Sequence, residues 1–262
     1  MAFLKRWRVR RQEEDSTSVY ISEKSGVRTL HIGSDTVQSS MRLARPNELE
    51  LAYTRSMMAF LLFHPDPRQV LMIGLGGGSL ARFIHHRLPA ARIVAVEINP
   101  QVVSVAQEFF RLPAEDARFG VVIDDGAAYL QSAGLQADVI LVDGYDAEAQ
   151  VRELATGTFY RDCARALGEN GILVVNLWGG DREFGACVDR IARAFDGRVA
   201  CLPAGRPGNV VALAFKASPG QPRWGDLVKR AQALEARYDL EFPRFVRDLA
   251  VMNPHDEERL LL

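Results

Sequence analysis

Strand-length apolar runs alternate with helical segments along most of this chain. From residue 69 onward, runs of nearly continuous Val, Ile and Leu recur, and each is followed by a turn that contains Gly or Asp. Runs of this kind are typical of parallel strands that are covered by helices on both faces. The predicted strands are 70–74, 92–98, 119–124, 137–143 and 171–177, and the predicted helices include 78–87, 100–111 and 156–168. The pattern therefore indicates an α/β protein with a parallel sheet.

The last two predicted strands differ from the others in their connection. Residues 198–202 and 209–215 are separated only by the segment PAGRPG, which is too short for a crossover helix. We therefore expect these two strands to form an antiparallel hairpin. A parallel sheet that ends in such a hairpin is the pattern of a Rossmann-like class I methyltransferase fold, and it is not the pattern of a dehydrogenase.

The two ends of the chain have patterns of their own. Residues 19–33 predict a β-hairpin, and residues 46–62 predict one amphipathic helix that starts at Pro46-Asn47. Residues 222–262 have helical character. The sequence thus predicts three parts, which are a small N-terminal β-rich lobe with its helix (1–64), a Rossmann-like domain (65–218) and a C-terminal helical appendage (219–262).

Composition narrows the classes of function. The chain has 262 residues, 48% of them apolar, and its 32 Lys and Arg residues balance 33 Asp and Glu residues to a formal charge of −1. This balance gives no general attraction to nucleic acid or to an anionic membrane, and no apolar run has the length that crosses a bilayer. The three widely spaced cysteines indicate neither a disulfide framework nor a zinc site. We therefore expect a cytoplasmic protein without a metal, a nucleic-acid partner or a membrane partner.

A glycine-rich loop and an acidic residue indicate a nucleotide site. Gly74, Gly76 and Gly78 follow the first buried strand and open a helix, where glycine lets a ligand approach the backbone. Glu97 ends the next strand, where an acid can accept both hydroxyl hydrogens of an adenosine ribose. Close packing of strand and helix, and a solvated strand end, are the alternative explanations. Together the two features favour an adenosine-containing cofactor.

The third strand bears on which adenosine compound is bound. It ends in Asp124-Asp125-Gly126, where a carboxylate can accept a hydrogen bond from the amino group of adenine. An ordinary Asp-Gly turn is the alternative explanation. Dehydrogenases do not need this acid, and Ser79 stands where the dinucleotide fingerprint has its third glycine. The sequence therefore favours an S-adenosyl sulfonium compound over NAD.

The fourth strand is followed by two acids that suit an amine substrate. Asp143 ends the strand and Asp146 lies in the loop after it, in the segment VDGYD. Ligands of such sheets bind beyond the carboxyl ends of the strands, so Asp143 is expected to face the sulfonium. Two carboxylates can attract a cationic amine, and one of them can take its proton. A helix N-cap followed by a surface acid is the alternative explanation.

The chain resembles the spermidine synthase family of polyamine aminopropyltransferases over about residues 19–216. The order and spacing of the motifs agree throughout. The matching pieces are Gln38 in DTVQ, Tyr53 in ELAYTRSM, the loop IGLGGGSLAR, the acid of VEIN, the DDG turn, the VDGYD loop and the segment GTFYRDCARALGENGIL.

The resemblance implies a fold, a reaction and roles for particular residues. It implies an N-terminal β-lobe on a Rossmann-like domain, decarboxylated S-adenosylmethionine as donor, a small diamine as acceptor, and a homodimer or larger oligomer. Glu97 would hold the ribose, Asp125 the adenine amino group and Asp143 the attacking amine. Tyr53 and Asp146 would line the diamine channel. Gln38 and Asp124 join the expected cofactor-binding residues.

Four positions depart from the family pattern. Gly77 stands where the family has an Asp that binds the terminal ammonium of the donor, and Asn176 replaces a Gln on the fifth strand. Thr54 and Arg55 replace the usual His or Gln and the Glu after the tyrosine, and Arg55 could pair with the carboxyl group of ordinary S-adenosylmethionine. The donor is therefore either S-adenosylmethionine or its decarboxylated form. We interpret the chain as a transferase that moves an aminopropyl group to an amine, with a methyltransferase or a non-catalytic nucleotide-binding relative as alternatives.

Overall fold

A computed structural model describes residues 5–7, 18–131, 134–144, 152–205 and 208–262. In these ranges the N-terminal part forms an antiparallel sheet of four strands, in chain order. Its strands are β1 (Lys5–Trp7), β2 (Val19–Lys24), β3 (Val27–Ile32) and β4 (Ser39–Arg42). Ser25 and Gly26, both with positive φ, make the turn between β2 and β3, which confirms the predicted hairpin.

The larger sheet of the described residues has seven strands. These are β5 (Gln69–Ile73), β6 (Arg92–Glu97), β7 (Phe119–Ile123), β8 (Ala137–Val142), β9 (Leu167–Trp178), β10 (Val199–Pro203) and β11 (Asn209–Phe215). Their order is β10-β11-β9-β8-β5-β6-β7. The neighbours from β9 to β7 are parallel, whereas β11 is antiparallel to both β9 and β10. The predicted parallel sheet with a terminal antiparallel hairpin is confirmed.

Helices cover both faces of this sheet. They are α1 (Ala52–Met57), α2 (Ser79–Arg87), α3 (Pro100–Phe109), α4 (Gly126–Leu130), α5 (Gly157–Ala166), α6 (Phe184–Ala194), α7 (Trp224–Tyr238) and α8 (Phe242–Met252). One apolar core joins the sheet to α1, α2, α7 and α8, and a second core joins its other face to α5 and α6. The C-terminal helices thus share the core of the central sheet, and the boundaries after residues 64 and 218 stay predictions.

The helix predicted over 46–62 is wrong at both ends. The α-helix begins only at Ala52, and Met58–Leu62 form a 3-10 turn whose residues are fully buried. The backbone oxygen of Pro46 accepts a hydrogen bond from Arg82 Nε at 2.9 Å, and Glu50 pairs with Arg42. The segment before Ala52 is therefore held by contacts with distant residues, which replace the helical hydrogen bonds that the periodicity predicts.

The described residues contain no helix that combines the length and apolar character needed to cross a bilayer. Cys163, Cys187 and Cys201 are buried free thiols. The carboxyl ends of the parallel strands β5, β6 and β8 meet at one edge of the sheet, where Tyr53 of α1 contacts Asp143, the residue after β8. In open α/β sheets this edge is where ligands bind.

Candidate active site

A cleft opens at the carboxyl ends of β5, β6 and β8. Its described lining residues are Ile32, Gln38, Ile73, Gly74, Gly76, Val96, Glu97, Ile98, Asp125, Gly126, Asp143, Gly144, Glu153 and Leu154. The cleft thus brings together six of the residues predicted from the sequence, namely Gln38, Gly74, Gly76, Glu97, Asp125 and Asp143. None of the described lining residues carries a positive charge.

The glycine loop allows the strand ends to approach each other closely. Gly74 has a φ of +91°, and a Cβ at this position would collide with the backbone oxygen of Asp143. Gly78 lies outside the cleft lining, with a φ of +68° at the N-cap of α2, where a Cβ would collide with Leu112. Gly74 is therefore required for the close contact between β5 and β8. Gly78 provides the positive φ that the chain adopts at the start of α2.

Glu97 is held by the backbone at the inner wall of the cleft. Its side chain accepts hydrogen bonds from the backbone N–H of Leu75 at 2.9 Å and of Asn99 at 3.0 Å, one on each carboxylate oxygen. The residue is only 9% exposed. Because a carboxylate has about four acceptor positions, each oxygen keeps capacity for one more donor. Glu97 is thus fixed in orientation and able to accept two hydroxyl groups.

The two acids at the end of β7 differ in position. Asp125 lines the cleft and caps α4, since Oδ1 accepts a hydrogen bond from the N–H of Ala128 at 2.8 Å. Asp124 is exposed and outside the lining, and its Oδ1 accepts the N–H of Asp125 at 2.8 Å. The structure therefore brings only Asp125 of this pair to the cleft. Its role in binding adenine stays a prediction.

Ile98 was missed by the sequence analysis. It follows Glu97, lines the cleft and is 66% exposed, which is unusual for a large apolar side chain. An apolar residue directly after the strand-end acid was the available signal. The side chain offers an apolar surface beside the acid that is expected to hold the ribose.

Asp143 lies directly after β8 and lines the cleft. Oδ1 accepts a hydrogen bond from Asn176 Nδ2 at 2.9 Å, and Oδ2 lies 3.1 Å from the Tyr53 hydroxyl. Burial raises the pKa of the Asp143 carboxyl group above its usual value, and the bonds from Asn176 and Tyr53 oppose this rise. A half-buried carboxylate with a raised pKa that faces a cleft has the properties of a proton acceptor.

Tyr53 connects the two lobes at this point. Its hydroxyl is 3.1 Å from the backbone oxygen of Gln38 and 3.1 Å from Asp143, and its single proton is donated to one of them at a time. The structure therefore brings Gln38, Tyr53 and Asp143 together. Asp146, the second predicted acid, lies outside the described residues and stays a prediction.

Arg55 and Gly77 have settings that the sequence did not show. Arg55 pairs with Glu241, the residue just before α8, through Nε at 2.9 Å and through Nη2. The expectation that Arg55 is available to the carboxyl group of a donor is therefore not supported.

A Cβ at Gly77 would lie 2.8 Å from Ser39 Oγ and 2.9 Å from Phe110 Cδ1. The loop has no room there for a larger residue unless these neighbours move.

The comparisons with known proteins agree with this geometry. Residues 50–177 match the model of the spermine/spermidine synthase domain. The polyamine aminopropyltransferase of Chromobacterium violaceum is 48% identical over 98% of both chains, and that of Neisseria meningitidis serogroup A is 44% identical over 95% of both chains. This chain belongs to the polyamine aminopropyltransferase family. The family predicted from the motifs is confirmed, and with it the interpretation of the chain as a transferase.

Solved structures support the same fold. A spermidine synthase in complex with the transition state analogue AdoDATO has a TM-score of 0.66 at 22% identity, with 95% of this chain and 88% of that chain covered. Human methyltransferase-like protein 13 in complex with SAH has a TM-score of 0.62 at 24% identity, with 79% and 96% covered. At these identities the likeness concerns the fold alone, and it confirms the predicted class I methyltransferase architecture.

Proposed function

We propose that this protein transfers an aminopropyl group from decarboxylated S-adenosylmethionine to a small amine. The observation that carries the proposal is the Asp143 carboxylate, which faces the cleft between two neutral donors, in a member of the polyamine aminopropyltransferase family. A spermidine synthase of the same fold was solved in complex with the transition state analogue AdoDATO.

The glycine-loop end of the cleft is the proposed adenosine site. Glu97 has two free acceptor positions, which suit the two hydroxyl groups of a ribose. Asp125 can accept from the adenine amino group, and the exposed Ile98 supplies an apolar surface for the base. Gly74 and Gly76 allow the backbone to approach the ligand.

The Asp143 end is the proposed site of reaction. An alkylamine with a pKa of about 10.4 is a cation at neutral pH, so it must lose a proton before it can act as a nucleophile. The Asp143 carboxylate accepts this proton. The amine nitrogen then attacks the propyl carbon next to the sulfonium sulfur, the C–N bond forms, and the C–S electron pair leaves with methylthioadenosine. Glu97, Asp125, Asp143 and Glu153 give the described lining only acidic charge, which favours a cationic amine.

The choice of donor distinguishes the proposed aminopropyltransferase from a second candidate function, a methyltransferase. Gly77 offers no carboxylate for the terminal ammonium of a decarboxylated donor, and this favours a methyltransferase that uses S-adenosylmethionine. A methyltransferase would need a cation to bind the carboxyl group of S-adenosylmethionine. Arg55 is the candidate for this cation, but it is bound to Glu241, and this argues against the methyltransferase. We therefore propose transfer of an aminopropyl group from decarboxylated S-adenosylmethionine, with transfer of a methyl group from S-adenosylmethionine as the alternative.

The deciding experiment compares the two donors. Calorimetry with S-adenosylmethionine and with its decarboxylated form, each with and without putrescine, is combined with a turnover assay that follows methylthioadenosine. We expect tighter binding of the decarboxylated donor and putrescine-dependent turnover. Transfer of a methyl group from S-adenosylmethionine to an amine would replace the proposal with the methyltransferase. Binding of both donors without turnover on any amine would leave a non-catalytic nucleotide-binding relative.

We also infer a homodimer that acts in the cytoplasm. The free buried thiols support a location in a reducing compartment. The acidic cleft supports a small cationic amine as the substrate. Light scattering on the purified protein tests the dimer, and a mass of one chain would contradict it. Fractionation of cells that express the tagged full chain tests the location.

A further inference from the structure

An asparagine pair lies behind the reaction end of the cleft. Asn176 of β9 is only 3% exposed, and its Nδ2 donates to Asp143 Oδ1 at 2.9 Å. Its Oδ1 accepts a hydrogen bond from Asn209 Nδ2 at 3.0 Å. The strands β9 and β11 are antiparallel neighbours in which Val211 pairs with Asn176, so Asn209 is the diagonal neighbour on the same face of the sheet. Asp143, directly after β8, Asn176 of β9 and Asn209 of β11 therefore form a continuous hydrogen-bonded row.

The charge on Asp143 sets the direction of every bond in this row. An ionised carboxylate only accepts hydrogen bonds, so Asn176 must turn its Nδ2 toward Asp143. Its Oδ1 then faces Asn209, which must donate. An asparagine at position 209 meets this requirement, whereas an aspartate there would only accept. The side chain at 209 thus supports this orientation of the Asn176 amide when it donates and opposes it when it only accepts.

Asp143 has few other groups that favour its charged form. The ionisable described residues near it are Tyr53 from α1, which contacts it, and Glu97 from β6, Asp125 at the start of α4 and Glu153 before α5, which line the cleft with it. The three carboxylates among them disfavour a further negative charge. The two neutral donors, Tyr53 and Asn176, are therefore the described contacts that stabilise the ionised carboxylate.

We propose that Asn209 is a positioning residue for the reaction, because it fixes the Asn176 amide with its donor toward Asp143. This inference rests on the proposed function, in which Asp143 takes the proton of the amine. Asn209 acts through Asn176, and neither asparagine belongs to the described lining of the cleft. The sequence analysis named Asn176 only as a departure from the family pattern, and it gave Asn209 no role.

The test measures the titration of Asp143 directly and through activity. The first readout is the carboxyl ¹³C NMR signal of Asp143 in protein labelled at aspartate, assigned by its absence in Asp143→Asn. The second is the acidic limb of the kcat/KM profile. Asn209→Asp reverses the row and adds a charge, so both readouts should move to higher pH and activity at pH 7 should fall about tenfold. Asn209→Ala removes the donor alone, and we expect a fall of about threefold.

A double-mutant cycle separates the row from the added charge. If Asn209 acts through Asn176, then Asn209→Ala has no further effect in an Asn176→Ala background. Asn209→Ser keeps a donor and should recover part of the activity lost in Asn209→Ala, which also covers the case in which the Asp variant fails to fold. Gln232→Glu, on the exposed side of α7, is the control for a remote added charge.

The possible outcomes distinguish this inference from the proposed function. An Asp143 titration that is the same in Asn209→Asp and in the parent would overturn the role of Asn209, even if the parent transfers aminopropyl groups. Independent, additive effects of the two alanine variants would do the same. A parent without turnover on any amine would overturn the proposed function, while the NMR titration would still report on the asparagine row.

Discussion

The two ends of the cleft hold their acids in different ways. Glu97 and Asp125 accept from backbone N–H groups of Leu75, Asn99 and Ala128, which lie 22, 2 and 3 residues away in sequence. Asp143 accepts from two side chains, Asn176 and Tyr53, which are 33 and 90 residues away. The proposed adenosine end therefore relies on backbone donors. The reaction end depends on tertiary packing.

This difference has consequences for how each end tolerates substitution. A backbone N–H remains in place when a neighbouring side chain changes, so the orientation of Glu97 is robust. The donors to Asp143 are single side chains, and each can be removed by one substitution. We therefore expect losses of binding at one end of the cleft and losses of turnover at the other.

The largest effect is expected for Asp143→Asn. The amide keeps the size of the side chain but cannot take the proton of the amine, so turnover should fall by about 10²–10⁴-fold, the usual contribution of a general base. Affinity for methylthioadenosine should stay close to that of the parent. Steady-state kinetics and calorimetry measure the two quantities. Asp189→Asn, at an exposed position of α6, is the matched control. Unchanged turnover in Asp143→Asn would remove this residue from the reaction.

Glu97→Gln should weaken ligand binding at the proposed adenosine end of the cleft. The amide has one acceptor oxygen in place of two, so it cannot accept from both Leu75 and Asn99 and still bind the ribose. Loss of a charge-assisted hydrogen bond should weaken methylthioadenosine binding by about 1.5–3 kcal/mol, or about 10- to 150-fold. Calorimetry checks this value. Glu108→Gln on the exposed face of α3 should bind like the parent. Equal affinity in Glu97→Gln would refute the assignment.

Gly77→Ala tests the space beside the glycine loop. The added methyl group would lie within 3 Å of Ser39 and Phe110, and overpacking of this kind costs about 1–3 kcal/mol. The melting temperature should therefore fall. Gly185→Ala, in α6 with nothing within 4 Å of its Cβ, should be neutral or stabilising by about 0.5–1 kcal/mol. A Gly77→Ala protein as stable as the parent would show that Ser39 and Phe110 give way easily.

Tyr53→Phe should give the smallest effect on turnover. It removes one neutral donor to Asp143, and a single hydrogen bond of this kind contributes about 0.5–1.5 kcal/mol. Because the lost bond opposes the rise in the pKa of Asp143, the pKa should increase further. Asp143 acts as a base only when it is ionised, so activity should be lost at a higher pH on the acidic side than in the parent.

The pH profile of kcat/KM measures this shift, and Tyr238→Phe serves as its control. The Tyr238 hydroxyl is buried without a hydrogen-bond partner among the described residues, so its removal should leave the profile unchanged. An acidic limb that stays in place in Tyr53→Phe would show that Tyr53 donates mainly to Gln38.

The sequence by itself predicted the parallel sheet with its terminal hairpin, the glycine loop and the positions of Glu97 and Asp125. Apolar runs of strand length predict strands, Glu97 is the last residue of β6, and Asp125 lies two residues after β7. Residues at the carboxyl ends of parallel strands lie at the ligand edge of such a sheet. Local pattern was therefore sufficient there, and it also carried the motifs of the family.

Only the tertiary structure decided what surrounds Asp143 and what occupies Arg55. Asn209 reaches Asn176 because β11 lies beside β9, and Glu241 reaches Arg55 across 186 residues of chain. The segment before α1 is likewise contacted from a distance, since Arg82, 36 residues away, donates to the backbone oxygen of Pro46. Periodicity reports how a residue relates to its near neighbours, so it carries no information on side chains that meet through packing. In this protein the partners of the proposed catalytic acid are of that kind.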